Sequence, residues 1–135
     1  MRPARTDLAR TMASTRPSRG RIALAAVLAL LSLNALAQVV LVALGRSDDP
    51  AALVALQMLV GASGAVAAWG TWRSARWAAG AAMAFGLISA AMLASLGPLV
   101  DVPADARGGL YMGAVILLLF GAGAAWYLRR QGVRT

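Results

Sequence analysis

The chain has no cysteine, no histidine, no lysine and no glutamate. Without cysteine there are no disulfides, no thiol redox chemistry and no thiolate metal ligands. Without histidine, the commonest metal, haem and proton-transfer ligand is missing. Acids are scarce: 5 aspartates stand against 13 arginines, and neither type enters the long apolar runs. Membrane enzymes, ion-coupled pumps and redox carriers usually carry ionisable groups within the bilayer. A chain without them is expected to be non-enzymatic. There is also no Ser-His or Cys-His pair, no strand-flanked glycine-rich phosphate loop and no metal-ligand spacing. No cofactor or metal is therefore expected. The embedded carboxylate on which small four-helix multidrug transporters rely is missing too.

What is present is apolar length. Hydrophobic residues make up 60% of the 135-residue chain, and they gather in the stretches 22–44, 51–72, 77–96 and 108–128. Each is about 20 residues, enough for a helix to cross the hydrocarbon core. Only helices and closed barrels satisfy their own backbone polar groups in lipid, and barrel strands would alternate over about 10 residues. The sequence thus predicts an all-α integral membrane domain of four transmembrane helices over 22–128. A basic, disordered tail at 1–21 precedes it and a basic tail at 129–135 follows. The short connection Arg73-Ser74-Ala75-Arg76 and its counterparts make consecutive helices antiparallel neighbours, an up-down-up-down bundle. Asp49-Pro50 predicts an N-cap acceptor and a first-turn proline at the start of span two. Gly97-Pro98 predicts the end, or a kink, of span three. Ala35-Leu36-Ala37 before Gln38 has the small-x-small form of a signal cleavage site. Apolarity nevertheless continues through Leu44, too far for a typical signal core, so span one is expected to be retained.

The arginines alternate along the chain. The first tail (Arg2, Arg5, Arg10, Arg16, Arg19, Arg21), the second connection (Arg73, Arg76) and the last tail (Arg129, Arg130, Arg134) are basic. The first connection (Arg46, Asp48, Asp49) and the third (Asp101, Asp105, Arg107) are acidic or balanced. Basic residues near span ends stay cytoplasmic, so both termini are expected inside (N-in/C-in). Trp69, Trp72, Trp77, Trp126 and Tyr127 fall at the same, cytoplasmic ends, where amphipathic rings sit among headgroups. Arginine without lysine, with heavy alanine and glycine use, suggests a high-GC bacterial genome and hence the inner (plasma) membrane. The N-terminal tail offers a contact for anionic lipids. It has no aromatic residue for base stacking, and no nucleic-acid-binding fold accompanies it, so no nucleic-acid partner is expected.

Inside the spans the strongly polar side chains are Asn34, Gln38 and Gln57. Asn34 and Gln38, four apart, share a helix face. Gln38 lies six residues before Leu44 and Gln57 six after Ala51, which puts both roughly 9 Å below one membrane surface. A hairpin of spans one and two is expected to set Gln38 against Gln57 and Asn34 against Gly61. That seam is read as interhelical glue or as the lining of a small-ligand or lipid-headgroup pocket. Small residues recur at every fourth position of span three (Ala78, Ala82, Gly86, Ala90, Ala94) and, in span four, at Gly109 and Gly113 and at Gly121, four before Ala125. Such stripes let backbones approach closely, either within the bundle or across a homodimer seam.

In layout, with its basic-aromatic turn Gly70-Thr71-Trp72-Arg73-Ser74-Ala75-Arg76-Trp77, the chain resembles small bacterial four-helix inner-membrane proteins, DoxX-like families and domains of unknown function among them. The resemblance implies the four-span layout and carries over no functional residue. The expected function is that of a non-enzymatic protein acting through helix contacts, as an accessory or assembly subunit of a larger membrane complex or as a homo-oligomer. Small-molecule or lipid handling at the Asn34/Gln38/Gln57 seam is the alternative, and a holin-like pore the third.

Overall fold

Apolar side chains run all the way round the helices, so no single wet face exists and lipid is the fitting solvent. In a computed structural model, residues 18–46 and 48–132 are described; most of the expected N-terminal tail, Ser47 and residues 133–135 lie outside them. The described residues form α1 (Arg19–Ala43), α2 (Ala51–Trp72), α3 (Ala78–Leu99) and α4 (Ala104–Gly132). All four are long and apolar enough to cross a membrane. This is a small, all-α, multi-pass membrane protein.

The register of each helix pair follows from a few contacts. Arg21 bonds Ser74 and Ser32 bonds Gly61, joining α1 to α2. Phe85 fills the space beside Gly64 and Trp77 lies over Gly70, joining α2 to α3. Gly121 meets Gly86 and Leu93 reaches Gly113, joining α3 to α4. In every pair one number rises as the other falls, so each helix runs antiparallel to its predecessor. The first and last helices meet where Tyr127 covers Gly20 and the Ser18 hydroxyl donates to Gln131 Oε1 at 3.3 Å. One end of the bundle therefore gathers the start of α1, the α2–α3 turn and the end of α4.

The helix ends differ from the sequence expectation in informative ways. Ser18 caps α1, its Oγ accepting from the Arg21 N–H at 3.4 Å. Arg19–Arg21 thus belong to the helix and not to the tail. Asp49 is not the N-cap of α2: Pro50 holds that position with no side-chain bond. The Pro50 carbonyl accepts from Leu53 and Val54 instead. Span three runs past Gly97-Pro98 to Leu99, with Pro98 inside the helix. A proline this close to the end forfeits only one internal bond. Span four starts at Ala104, not Gly108, and continues to Gly132. A helix need not stop where hydrocarbon does, and Asp105 in its first turn and Arg129 and Arg130 in its last suit its dipole. Two reverse turns are closed by left-handed residues, Gly45 (φ 68°) after α1 and Ser74 (φ 56°) after α2. At each, two N–H groups fold back on the last-turn carbonyls: Arg46 to Leu41 and Gly45 to Val42, Ala75 to Gly70 and Ser74 to Thr71. This satisfies acceptors that would otherwise be stranded.

Candidate functional site

The buried stripe of α1 is Ala25, Leu28, Ser32 and Ala35. It faces α2, and the polar contact there is made by Ser32, whose hydroxyl donates to the Gly61 carbonyl at 2.6 Å. Leu36, not Asn34, packs on Gly61: a Cβ added there would lie 2.6 Å from a Leu36 methyl. Asn34 and Gln38 are both exposed. At about 100° per residue they sit roughly 100–140° round the helix from the centre of the buried stripe. Gln57, by contrast, is buried, and its Oε1 has no hydrogen-bond partner among the described residues.

The expected seam therefore does not assemble. Its three amides divide into two on the outward face of α1 and one inside α2. Equal spacing from the span ends bears on depth and says nothing about rotation about the helix axis, and rotation is what keeps Gln38 away from the buried face. Ser32 is the residue that sequence reasoning missed. The signal was there: it falls in the small-residue stripe with Ala25 and Ala35, and a hydroxyl is short enough to sit where backbones approach.

The stripe on α3 is used. Ala78, Ala82, Gly86 and Ala90 are buried, while Ala94 is exposed. They face α4: Ala78 and Ala82 pack with Ala124, Ala125 and Leu128, and Gly86 meets the backbone at Gly121 and Leu117. On α4 the working glycine is Gly121. Gly113 takes only a Leu93 methyl, and Gly109 has nothing within 4 Å. The aromatic belt also gathers at one end. Trp69, Trp72, Trp77 and Trp126 are exposed and Tyr127 half-buried. The Arg73 guanidinium lies 4.6 Å from the Trp69 ring centre and that of Arg130 3.9 Å from Trp126, within cation–π range.

Beside the Ser32 contact, α1 and α2 leave an open groove of about 520 Å³ along Ile22, Ala26, Ala29, Leu33, Ala65 and Trp69. Its walls are almost entirely carbon, and none of the three amides lines it. No family model matches the chain, and it has no significant match among curated proteins or solved structures.

Proposed function

We propose that this is a non-enzymatic bacterial inner-membrane protein that works through helix contacts as a homo-oligomer, with the outward face of α1 as its seam. The supporting observation is that Asn34 and Gln38 are exposed within a helix long and apolar enough to span the bilayer. An amide turned toward hydrocarbon gains by finding a partner on another helix. A second α1, related by a two-fold axis along the membrane normal, sets each amide opposite its own counterpart at equal depth. An amide carries both donors and an acceptor, so it is self-complementary, as a two-fold interface requires. Leu30 and Leu33, 68% and 64% exposed, flank the amides and supply the apolar packing.

The test is mass measurement in mild detergent on wild type and on Asn34→Leu/Gln38→Leu. Wild type is expected to be a dimer. Two amide pairs at about 0.6–2 kcal/mol each make the double variant dissociate about tenfold or more readily, with helix content unchanged. A monomeric wild type, or a double variant that stays equally dimeric, overturns the seam; a stable complex with a different protein transfers it to the accessory-subunit reading. The groove favours a second reading, uptake of a lipid acyl chain, which the double variant leaves untouched because neither residue lines it.

On this reading both termini face the cytoplasm. Support comes from the arginine bias of the bundle end that holds Arg21, Arg73, Arg76, Arg129 and Arg130, and from the tryptophans beside them. Reporter fusions after Arg46 and Arg107 are expected to read as periplasmic, and one at Thr135 as cytoplasmic. A periplasmic C-terminus reverses the assignment.

A further inference from the structure

At the bundle end that gathers the start of α1, the α2–α3 turn and the end of α4 lies a basin of about 670 Å³. Arg21, Arg76 and Arg129 line it from those separate segments, together with Ser74. Its floor includes Ala78, Ala79 and Leu128, all buried. The basin is both more enclosed and more polar than the groove between α1 and α2.

Its charge is one-sided. The aspartates among the described residues are Asp48, Asp49, Asp101 and Asp105, all on the connections or first turn at the opposite end of the bundle. Among the described residues the guanidiniums of Arg76 and Arg129 have no hydrogen-bond or ion-pair partner. Arg21 spends one terminal nitrogen on the Ser74 hydroxyl at 2.6 Å, while its Nε is buried and unpartnered. Three like charges brought to one cavity repel one another, and a buried N–H without an acceptor costs free energy. A compact oxyanion with several acceptor atoms relieves that repulsion.

We infer that this basin binds a phosphate group, held by the guanidiniums of Arg21, Arg76 and Arg129 and by the Ser74 hydroxyl. Guanidinium is the side chain best matched to phosphate, its fork of N–H donors pairing with two oxygens at once. The Arg21–Ser74 bond holds one donor of the site in place before the ligand arrives. The exposed tryptophans at the same end, Trp72, Trp77 and Trp126, suit the headgroup layer, where phosphodiesters are concentrated. The chemistry is common to an anionic phospholipid headgroup and to free phosphate, and the experiment separates them.

The test uses the full chain in neutral detergent. Binding is titrated with phosphatidylglycerol, with phosphatidylcholine and with inorganic phosphate, read by native mass spectrometry and by thermal shift. Saturable binding of one phosphate-bearing molecule per chain is expected. Phosphatidylglycerol binding that inorganic phosphate does not displace identifies the lipid headgroup; binding of inorganic phosphate alone identifies the free anion. Arg21→Gln/Arg76→Gln/Arg129→Gln should weaken it at least roughly tenfold, the scale of losing a charge-assisted pair. Arg46→Gln/Arg107→Gln at the other end should leave it unchanged. If the triple variant does not fold, the exposed pair Arg76→Gln and Arg129→Gln, made singly, carries the comparison. Absence of saturable binding, equal loss in the Arg46/Arg107 control, or full binding by the basin variants overturns the site.

Discussion

Gly86→Leu is expected to force α3 and α4 apart. A Cβ built on Gly86 would lie 2.8 Å from the Gly121 Cα and 3.0 Å from the Leu117 carbonyl oxygen. One on Gly121 would lie 2.8 Å from the Gly86 Cα and 3.0 Å from the Ala82 oxygen. These neighbours are backbone, so no side-chain rotation relieves the clash; the helices themselves must separate. Separation also loosens the Ala78, Ala82, Ala124, Ala125 and Leu128 cluster beside the crossing. Overpacking of this kind costs about 1–3 kcal/mol. Within lipid there is little hydrophobic force to draw the helices back together, so the lost packing is not replaced. Gly86→Ala should move in the same direction by less. Gly123→Ala is the control: nothing lies within 4 Å of its added methyl, and helix propensity alone favours alanine by up to about 1 kcal/mol. Unfolding in mixed detergent micelles measures all three. Equal tolerance of leucine at Gly86 and alanine at Gly123 would mean that α3 and α4 do not cross there.

The four helices were legible because a membrane span is a one-dimensional property. Counting apolar residues between arginines finds it, and the span bounds at Ala51 and Trp72 are those of α2. Helix ends were less legible. Charged residues such as Asp105 and Arg129 stop an apolar count but do not stop a helix, so α4 overran its predicted span at both ends. Small-residue spacing found the α3 surface, because in lipid close backbone approach is a main source of packing. It offered the partner glycine as one of three: Gly109, Gly113 and Gly121 carry equal weight in sequence, and geometry selects Gly121. The amide seam failed for a deeper reason. In water a polar residue marks the outward face of a helix; in a membrane bundle it suits the inside or another protein, and sequence does not say which. Asn34 and Gln38 point out while Gln57 points in, and that division is what turns the functional reading toward a second copy. The basin was illegible because Arg21, Arg76 and Arg129 are 55 and 53 residues apart along the chain and meet only through the fold.

The second large effect is expected where three helices meet. A Cβ added to Gly64 of α2 would lie 3.0 Å from both the Phe85 ring of α3 and Ser32 Cβ of α1. Neither neighbour yields easily. Ser32 is tied to the Gly61 carbonyl, and Phe85 is 1% exposed, packed in a cluster with Leu28, Ala35, Val60 and Ala67. Gly64→Ala should therefore cost about 1–3 kcal/mol, whereas the same change at an open helical glycine would help. Phe85→Leu should also cost about 1–3 kcal/mol. In a soluble core the loss from truncating a buried aromatic is larger, but here the separated helices are already solvated by lipid, which leaves mainly the packing term. Combined, the two changes should partly cancel. Leucine withdraws the distal ring atoms that crowd Gly64, and the alanine methyl fills part of the space they leave. The double variant is expected to be more stable than the sum of the single losses implies, by about 0.5–3 kcal/mol. A double-mutant cycle on detergent unfolding reads this coupling directly. Strict additivity would mean that Gly64 and Phe85 do not touch, and the junction of α1, α2 and α3 would have to be drawn elsewhere.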